Sequence, residues 1–292
     1  MSAAAFFKAH EKVLDGGLPV RRVLPAAARQ SVGPFLFLDH FGPIDVEPHA
    51  NHDVPPHPHI GLATVTYLYE GVSVHRDSVG SLQRVEPGAI NWMTSGGGVV
   101  HSERLPPELQ GQPRRIHGLQ LWAALPQAHE EDAPSFAHTP AEAIPLVSLP
   151  GAEVRVLIGS AFGRTSPVAT FSATYYLDIG LEAGGQIVLE DLPVEAAIYP
   201  VLGEIALDGE PLAQYTMAYL APGEPVRVSA GAAARFVVIG GEPLDGRRHM
   251  FWNFVSSSKE RLAKACEDWE QQRYAPVPGE TEWIPLPRPY RP

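Results

Sequence analysis

The chain of 292 residues holds one cysteine, Cys266, which excludes an intramolecular disulfide and any zinc site assembled from cysteine pairs. Long hydrophobic runs are missing too. No stretch approaches the ~20 apolar residues that a membrane helix requires, and Met1 to Lys12 contains no apolar core of signal-peptide length. Basic charge is also short: 22 Lys and Arg against 33 Asp and Glu leave a formal net charge of −11. The field of such a chain repels a phosphate backbone. These absences point to a soluble, cytoplasmic protein with no direct nucleic-acid partner and no membrane partner. Histidine is scarce in the second half, because 11 of the 12 lie before residue 139 and only His249 follows.

What the chain does contain reads as an all-β protein. With 45% hydrophobic and 19% charged residues it can bury a sizeable core without staples, and its length suits two domains or one large all-β domain. The 30 Pro and 27 Gly are scattered, and they punctuate short apolar runs about every ten residues, as in a sandwich or barrel. Strands are predicted at Phe35-Leu36-Phe37-Leu38, Thr64-Val65-Thr66-Tyr67-Leu68, Ala89 to Met93 and Leu119 to Trp122. A second series follows at Glu153 to Ile158, Tyr175 to Ile179, Pro225 to Val228 and Arg235 to Ile239, with a Pro-Gly turn at Pro222-Gly223 matching that at Pro87-Gly88. The repetition suggests a duplicated barrel. The Pro-, Ala- and acid-rich stretch from Ala128 to Pro150 reads as the linker between copies.

The chemistry sits in two short patterns of the first series, His57-Pro58-His59 and His101-Ser102-Glu103. On a strand, residues i and i+2 share a face, so each pattern presents two metal-ligand side chains side by side. The 41 residues between His59 and His101 leave room for intervening strands that bring the patterns together. Three imidazoles and one carboxylate suit one divalent transition metal, with Fe(II) first and Mn, Ni, Cu, Co or Zn also compatible with the donors. Four protein ligands leave up to two octahedral positions open, and an open position makes a metal reactive rather than structural. The second series carries no such pattern.

Other residues carry simpler readings. Gly96-Gly97-Gly98 is not followed by Gly-Lys-Ser/Thr, so close backbone approach or a bulge accounts for it better than a phosphate loop. His40, His49 and His52 read as surface or packed residues rather than groups orienting a ligand, and His75, Arg76 and Asp77 as a polar turn or strand end. Ser102 alternates with His101 and Glu103, so its hydroxyl faces away from both and no serine triad is expected. Ser257-Ser258-Lys259-Glu260 fits a capping box opening a helix at about 257–273. Leu262, Cys266 and Trp269 form its apolar face, with Cys266 a core residue. The Pro-rich tail beyond Arg273 is expected to run extended over a barrel surface.

Taken together, the chain resembles the pirin family of the cupin superfamily, including its bacterial quercetin 2,3-dioxygenase-like members. The resemblance is carried by Phe37 to Pro43, Pro56 to Gly61, Val65 to Gly71, Asn91 to Thr94, Val99 to Glu103, His117 to Trp122 and Arg248 to Ser256. It implies two cupin-type barrels in tandem, a bicupin. The metal-binding barrel is placed at 1–135, and a metal-free barrel with the helix and tail at 136–292. It also implies metal ligands at His57, His59, His101 and Glu103. Many cupins place the metal Glu a few residues after His-x-His, where this chain has Leu62 and Ala63. Taking the carboxylate from Glu103 is the pirin arrangement. The implied activity is flavonol cleavage by O2 with release of CO, Glu103 serving as general base. The alternative is a metal-dependent interaction protein, a transcription cofactor or enzyme regulator that docks on a protein partner. Two fused barrels are compatible with a monomer.

Overall fold

The computed structural model describes residues 3–14, 17–288 and 290. Each predicted run coincides with an antiparallel strand, Ala89 and Pro225 alone standing just before theirs, because alternating side chains give each strand one face to bury and one to turn outward. The all-β, two-barrel architecture with a C-terminal helix holds. Two compact units result, but they are not consecutive halves. One comprises Met1–Lys12, Arg21–His40 and Thr139–Pro243, the other Val13–Val20, Phe41–His138 and Leu244–Pro292. The division into 1–135 and 136–292 therefore differs from the packing at both ends of the chain. The first strand, Ala3–Lys8, pairs with Thr216–Leu220, and residues after Pro243, helix included, belong with the unit that carries the histidine patterns. An unpaired edge and an apolar helix face both need cover, and sequence position does not dictate where it is found.

In the unit without the patterns, seven strands lie in the order Ala3–Lys8, Thr216–Leu220, Glu195–Leu202, Ala234–Gly241, Thr174–Leu181, Ala152–Ile158 and Leu146–Leu149. A second sheet has the order Gln186–Leu189, Val226–Ser229, Ile205–Leu207 and Glu210–Leu212. Period-two sets such as Val154 and Val156, Leu177 and Ile179, and Phe236 and Val238 fill its core with Leu207 and Val228. His40 belongs to this unit, fully buried with its Nδ1 3.0 Å from the Tyr199 hydroxyl. It is a packed histidine.

In the other unit, Val54–His59, Val99–Arg104, Ser73–Asp77 and Leu82–Val85 form one sheet in that order. Ser135–Thr139, Ile90–Thr94, Leu62–Glu70 and Arg114–Ala124 run side by side in a second sheet. The stretch expected as a linker is thus structured, carrying the strands Ser135–Thr139 and Leu146–Leu149.

The helix runs over Lys259–Glu270, shorter than expected at both ends. Its N-cap is Ser258, whose hydroxyl oxygen accepts from the Arg261 amide at 3.2 Å. Glu260 therefore stands at the second helical position rather than the third, and it accepts from the Ser258 hydroxyl instead of closing a capping box. Leu262, Ala265, Cys266 and Trp269 form the buried stripe, as the spacing predicted. Among the described residues no helix is long and apolar enough to cross a membrane.

Candidate metal centre

Strands Val54–His59 and Val99–Arg104 pair antiparallel, with His101 directly opposite His57 and Val99 opposite His59. Cross-strand partners share a face, so His57, His59 and His101 look the same way. One nitrogen of each lies within 4.8 Å of the others. Ring centroids are 4.3 Å apart for His57 and His101 and 5.1 Å for His59 with either neighbour. All three rings are buried.

Their other nitrogens are held from behind. His57 Nδ1 is 2.9 Å from the Pro55 carbonyl and His59 Nδ1 is 3.1 Å from the Asn253 carbonyl. A carbonyl only accepts, so both Nδ1 atoms carry the proton and the lone pair of each ring is on Nε2. His101 Nε2 is buried without a hydrogen-bond partner. A buried polar atom left so is costly, and a cation is a group that a lone pair in this position can satisfy. Burial first, then repulsion by the neighbouring imidazoles, pushes His59 and His101 well below the ordinary histidine value, the Asn253 carbonyl opposing it in part at His59. His59 and His101 are therefore held toward the neutral form, the one that binds a metal. Three imidazoles converging on one point fit a divalent transition metal.

Glu103 is not among the donors that lie mutually within 4.8 Å. A bulge between His101 and Glu103 sets it opposite Val54 and so offsets it from the regular register. On the other edge of Val99–Arg104, Glu103 pairs with His75 and His101 with Asp77. Glu103 retains some surface, yet burial of its carboxyl pushes its pKa up, against a smaller lowering by His75.

His75 and Asp77 thus stand at the end of a strand, Ser73–Asp77, which is the second of the two expected readings, and on the face that carries the claws. His75 Nδ1 is 3.4 Å from His101 Nδ1, and His75 Nε2 is 2.9 Å from Asp77 Oδ2. Burial raises the Asp77 carboxyl, but hydrogen bonds from His75 and Ser81 outweigh it and hold the group below its usual value. Sequence reading missed both residues. Their register against Val99–Arg104 is a long-range fact, and only the His-x-Asp spacing of two hinted at it. The carbonyls of Pro55 and Asn253 have no sequence signature at all. His49 is exposed and His52 half-buried.

The reverse face of the claw strands packs on the C-terminal segment. Ile60 and Val100 join Phe254, Leu262, Ala265, Cys266, Trp269 and Val277 in one cluster. Gly61 permits this approach: its φ is +68°, and a Cβ would stand 2.1 Å from the Val255 carbonyl oxygen. Gly96 is similar, at φ +48° with a Cβ position 1.8 Å from the Asp132 oxygen, so the glycine run serves close approach. The tail is tied down by the Ile284 amide donating to Pro56 O at 2.9 Å and the Trp269 indole donating to Ile284 O at 2.9 Å. Ser102 faces away from His101 and Glu103 as predicted, buried against the tail and donating to Glu280 at 3.0 Å. On the claw face, Trp122 stands edge-on to His59, ring centroids 5.2 Å apart.

Residues 17–123 match the family model described as Pirin, and residues 176–275 match that of the Pirin C-terminal cupin domain. A pirin-like protein of Caulobacter vibrioides is 45% identical over 286 residues, 96% of this chain and 98% of that one. A Pseudomonas aeruginosa protein provisionally named a quercetin 2,3-dioxygenase is 35% identical over 88% of this chain and 81% of its own. The crystal structure of quercetin 2,3-dioxygenase from Acinetobacter baumannii superposes with a TM-score of 0.91 at 31% identity, covering 99% of this chain and 95% of that one.

Proposed function

The chain belongs to the pirin family, and on that footing we propose that it is an iron-dependent dioxygenase cleaving flavonols such as quercetin with O2 and releasing CO. The observation that carries this reading is the buried set of His57, His59 and His101, donors within 4.8 Å, with an unsatisfied Nε2 on His101. The likeness to proteins named for quercetin dioxygenase activity supports the choice of substrate class.

A divalent metal held at this point would supply Lewis acidity toward a flavonol 3-hydroxyl and activation of O2. His57, His59 and His101 would hold it, and Glu103, on the same strand beyond the bulge, would serve as the fourth donor. The backbone carbonyls behind His57 and His59 fix the orientation of those rings. Glu103 accepts the proton of the 3-hydroxyl, a task suited to a carboxyl whose burial raises its proton affinity. Trp122 offers an aromatic surface beside His59 on which a planar substrate packs.

The test is an aerobic assay of Fe(II)-loaded protein with quercetin, following flavonol loss and CO release together. Loss of flavonol with matching CO is the expected result. Neither signal, from protein shown to contain metal, overturns the catalytic reading in favour of a metal-dependent interaction protein.

A further inference from the structure

We propose that Asp77 and His75 form a hydrogen-bond relay that keeps the proton of His101 on Nδ1 and so aims its Nε2 lone pair into the histidine cluster. The inference rests on the reading of His101 as a metal ligand through Nε2, and it adds two positioning residues to that site.

The direction of each hydrogen bond follows from what the atoms can do. Asp77 Oδ1 accepts from the backbone amides of Val79 at 3.1 Å and Ser81 at 2.8 Å, so the carboxylate is fixed as an acceptor with its second oxygen toward His75. Asp77 Oδ2 lies 2.9 Å from His75 Nε2, which must therefore carry a proton. In the relay His75 carries its one proton on Nε2, which leaves Nδ1 as an acceptor, and that atom lies 3.4 Å from His101 Nδ1, at the long end of hydrogen bonding. Two nitrogens this close need one proton between them, and only His101 has one to give. His101 is then protonated on Nδ1, and its Nε2, buried and without a partner, bears the lone pair. Phe136 stacks on His75, centroids 4.3 Å apart and planes 18° from parallel, which resists rotation of the ring to the opposite assignment.

His57 and His59 achieve the same tautomer with backbone carbonyls, whereas His101 has a side-chain pair in that place. That makes the third ligand the one whose tautomer a single substitution can invert. In Asp77→Asn an amide oxygen still serves the Val79 and Ser81 amides, but the NH2 group replaces Oδ2. It donates to His75 Nε2, His75 then donates from Nδ1, and His101 must accept on Nδ1 and move its proton to Nε2.

The experiment uses 15N-histidine-labelled full-length protein, free of metal, with the two His101 nitrogens distinguished by long-range 1H–15N correlation, and Zn(II) affinity measured by chelator competition. In wild type His101 is expected to be protonated on Nδ1. In Asp77→Asn it is expected on Nε2, with Zn(II) binding weakened roughly 10- to 100-fold. Wild-type His101 protonated on Nε2 overturns the relay, as does Asp77→Asn with an unchanged tautomer and affinity within threefold of wild type. If Asp77→Asn does not fold, the wild-type spectrum alone decides. A wild-type protein that shows the expected tautomer but takes up no Zn(II) removes the metal-site reading and leaves the relay standing.

Discussion

His57 and His101 face each other across adjacent antiparallel strands as direct partners, their rings 4.3 Å apart. This one register sets the centre, because a slip of a single residue would turn His101 to the opposite face, where Ser102 meets the tail. Alanine at His57, His59 or His101 removes one of the three donors, and each variant should lose its bound metal while keeping its fold. Metal content per chain after desalting, read beside a circular dichroism melt, checks this.

Glu103→Ala is expected to lower metal affinity and to reduce flavonol turnover by about 10²- to 10⁴-fold, the usual contribution of a positioned general base. Steady-state kinetics at saturating Fe(II) separate the two effects. Unchanged turnover removes Glu103 from the chemistry.

The metal-free protein should lose stability as pH falls. His59 and His101 are held well below the ordinary histidine value of 6.5 by burial and by neighbouring imidazoles. Once pH drops through that value the unfolded chain binds more protons than the folded one, so unfolding is favoured progressively toward the depressed folded values. Glu103, raised by burial, works with the opposite sign at lower pH, so the comparison is best made in Glu103→Gln. Urea midpoints with chelator present should fall between about pH 7.5 and about pH 5. A flat profile contradicts neutral, buried imidazoles.

The tail acts as a strap on the strands that carry the histidine patterns. Glu280 accepts from Ser102 and pairs with Arg104, whose side chain is only 17% exposed. Glu280→Ala leaves a charged donor partly buried with fewer acceptors and should destabilise the fold by about 1–3 kcal/mol. Urea unfolding of the metal-free protein measures it.

Gly61→Ala tests the approach of the C-terminal segment. A Cβ there would stand 2.1 Å from a backbone oxygen at a φ of +68°, so both strain and displacement are incurred. A loss of about 1–3 kcal/mol is expected, with weaker metal binding, because His59 lies two residues away and takes its Nδ1 acceptor from Asn253 in the same segment.

Much of this was legible in the sequence, because a period of two is local. His57 with His59, and the turn of Ser102 to the opposite face, follow from alternation alone. The apolar stripe of the helix was equally plain, although the cap shifted by one residue, since Ser257 and Ser258 offer the same hydroxyl and only packing chooses between them. What stayed hidden was long-range. His75 and Asp77 look like any polar strand end until the register places them against Glu103 and His101. The return of residues after Pro243 to the unit with the histidine patterns depends on which face lacks cover, and no local pattern records that. The bulge offsetting Glu103 is likewise invisible in His-Ser-Glu.

The central claim, that three imidazoles from paired strands grip one ion with part of its shell open, is tested most directly by metal analysis of protein purified without chelators. One equivalent of a divalent transition metal per chain, lost in the His101→Ala variant, is the predicted result. Wild-type protein that carries no such metal, and takes up none when offered Fe(II), Mn(II), Ni(II), Cu(II), Co(II) or Zn(II), would contradict it.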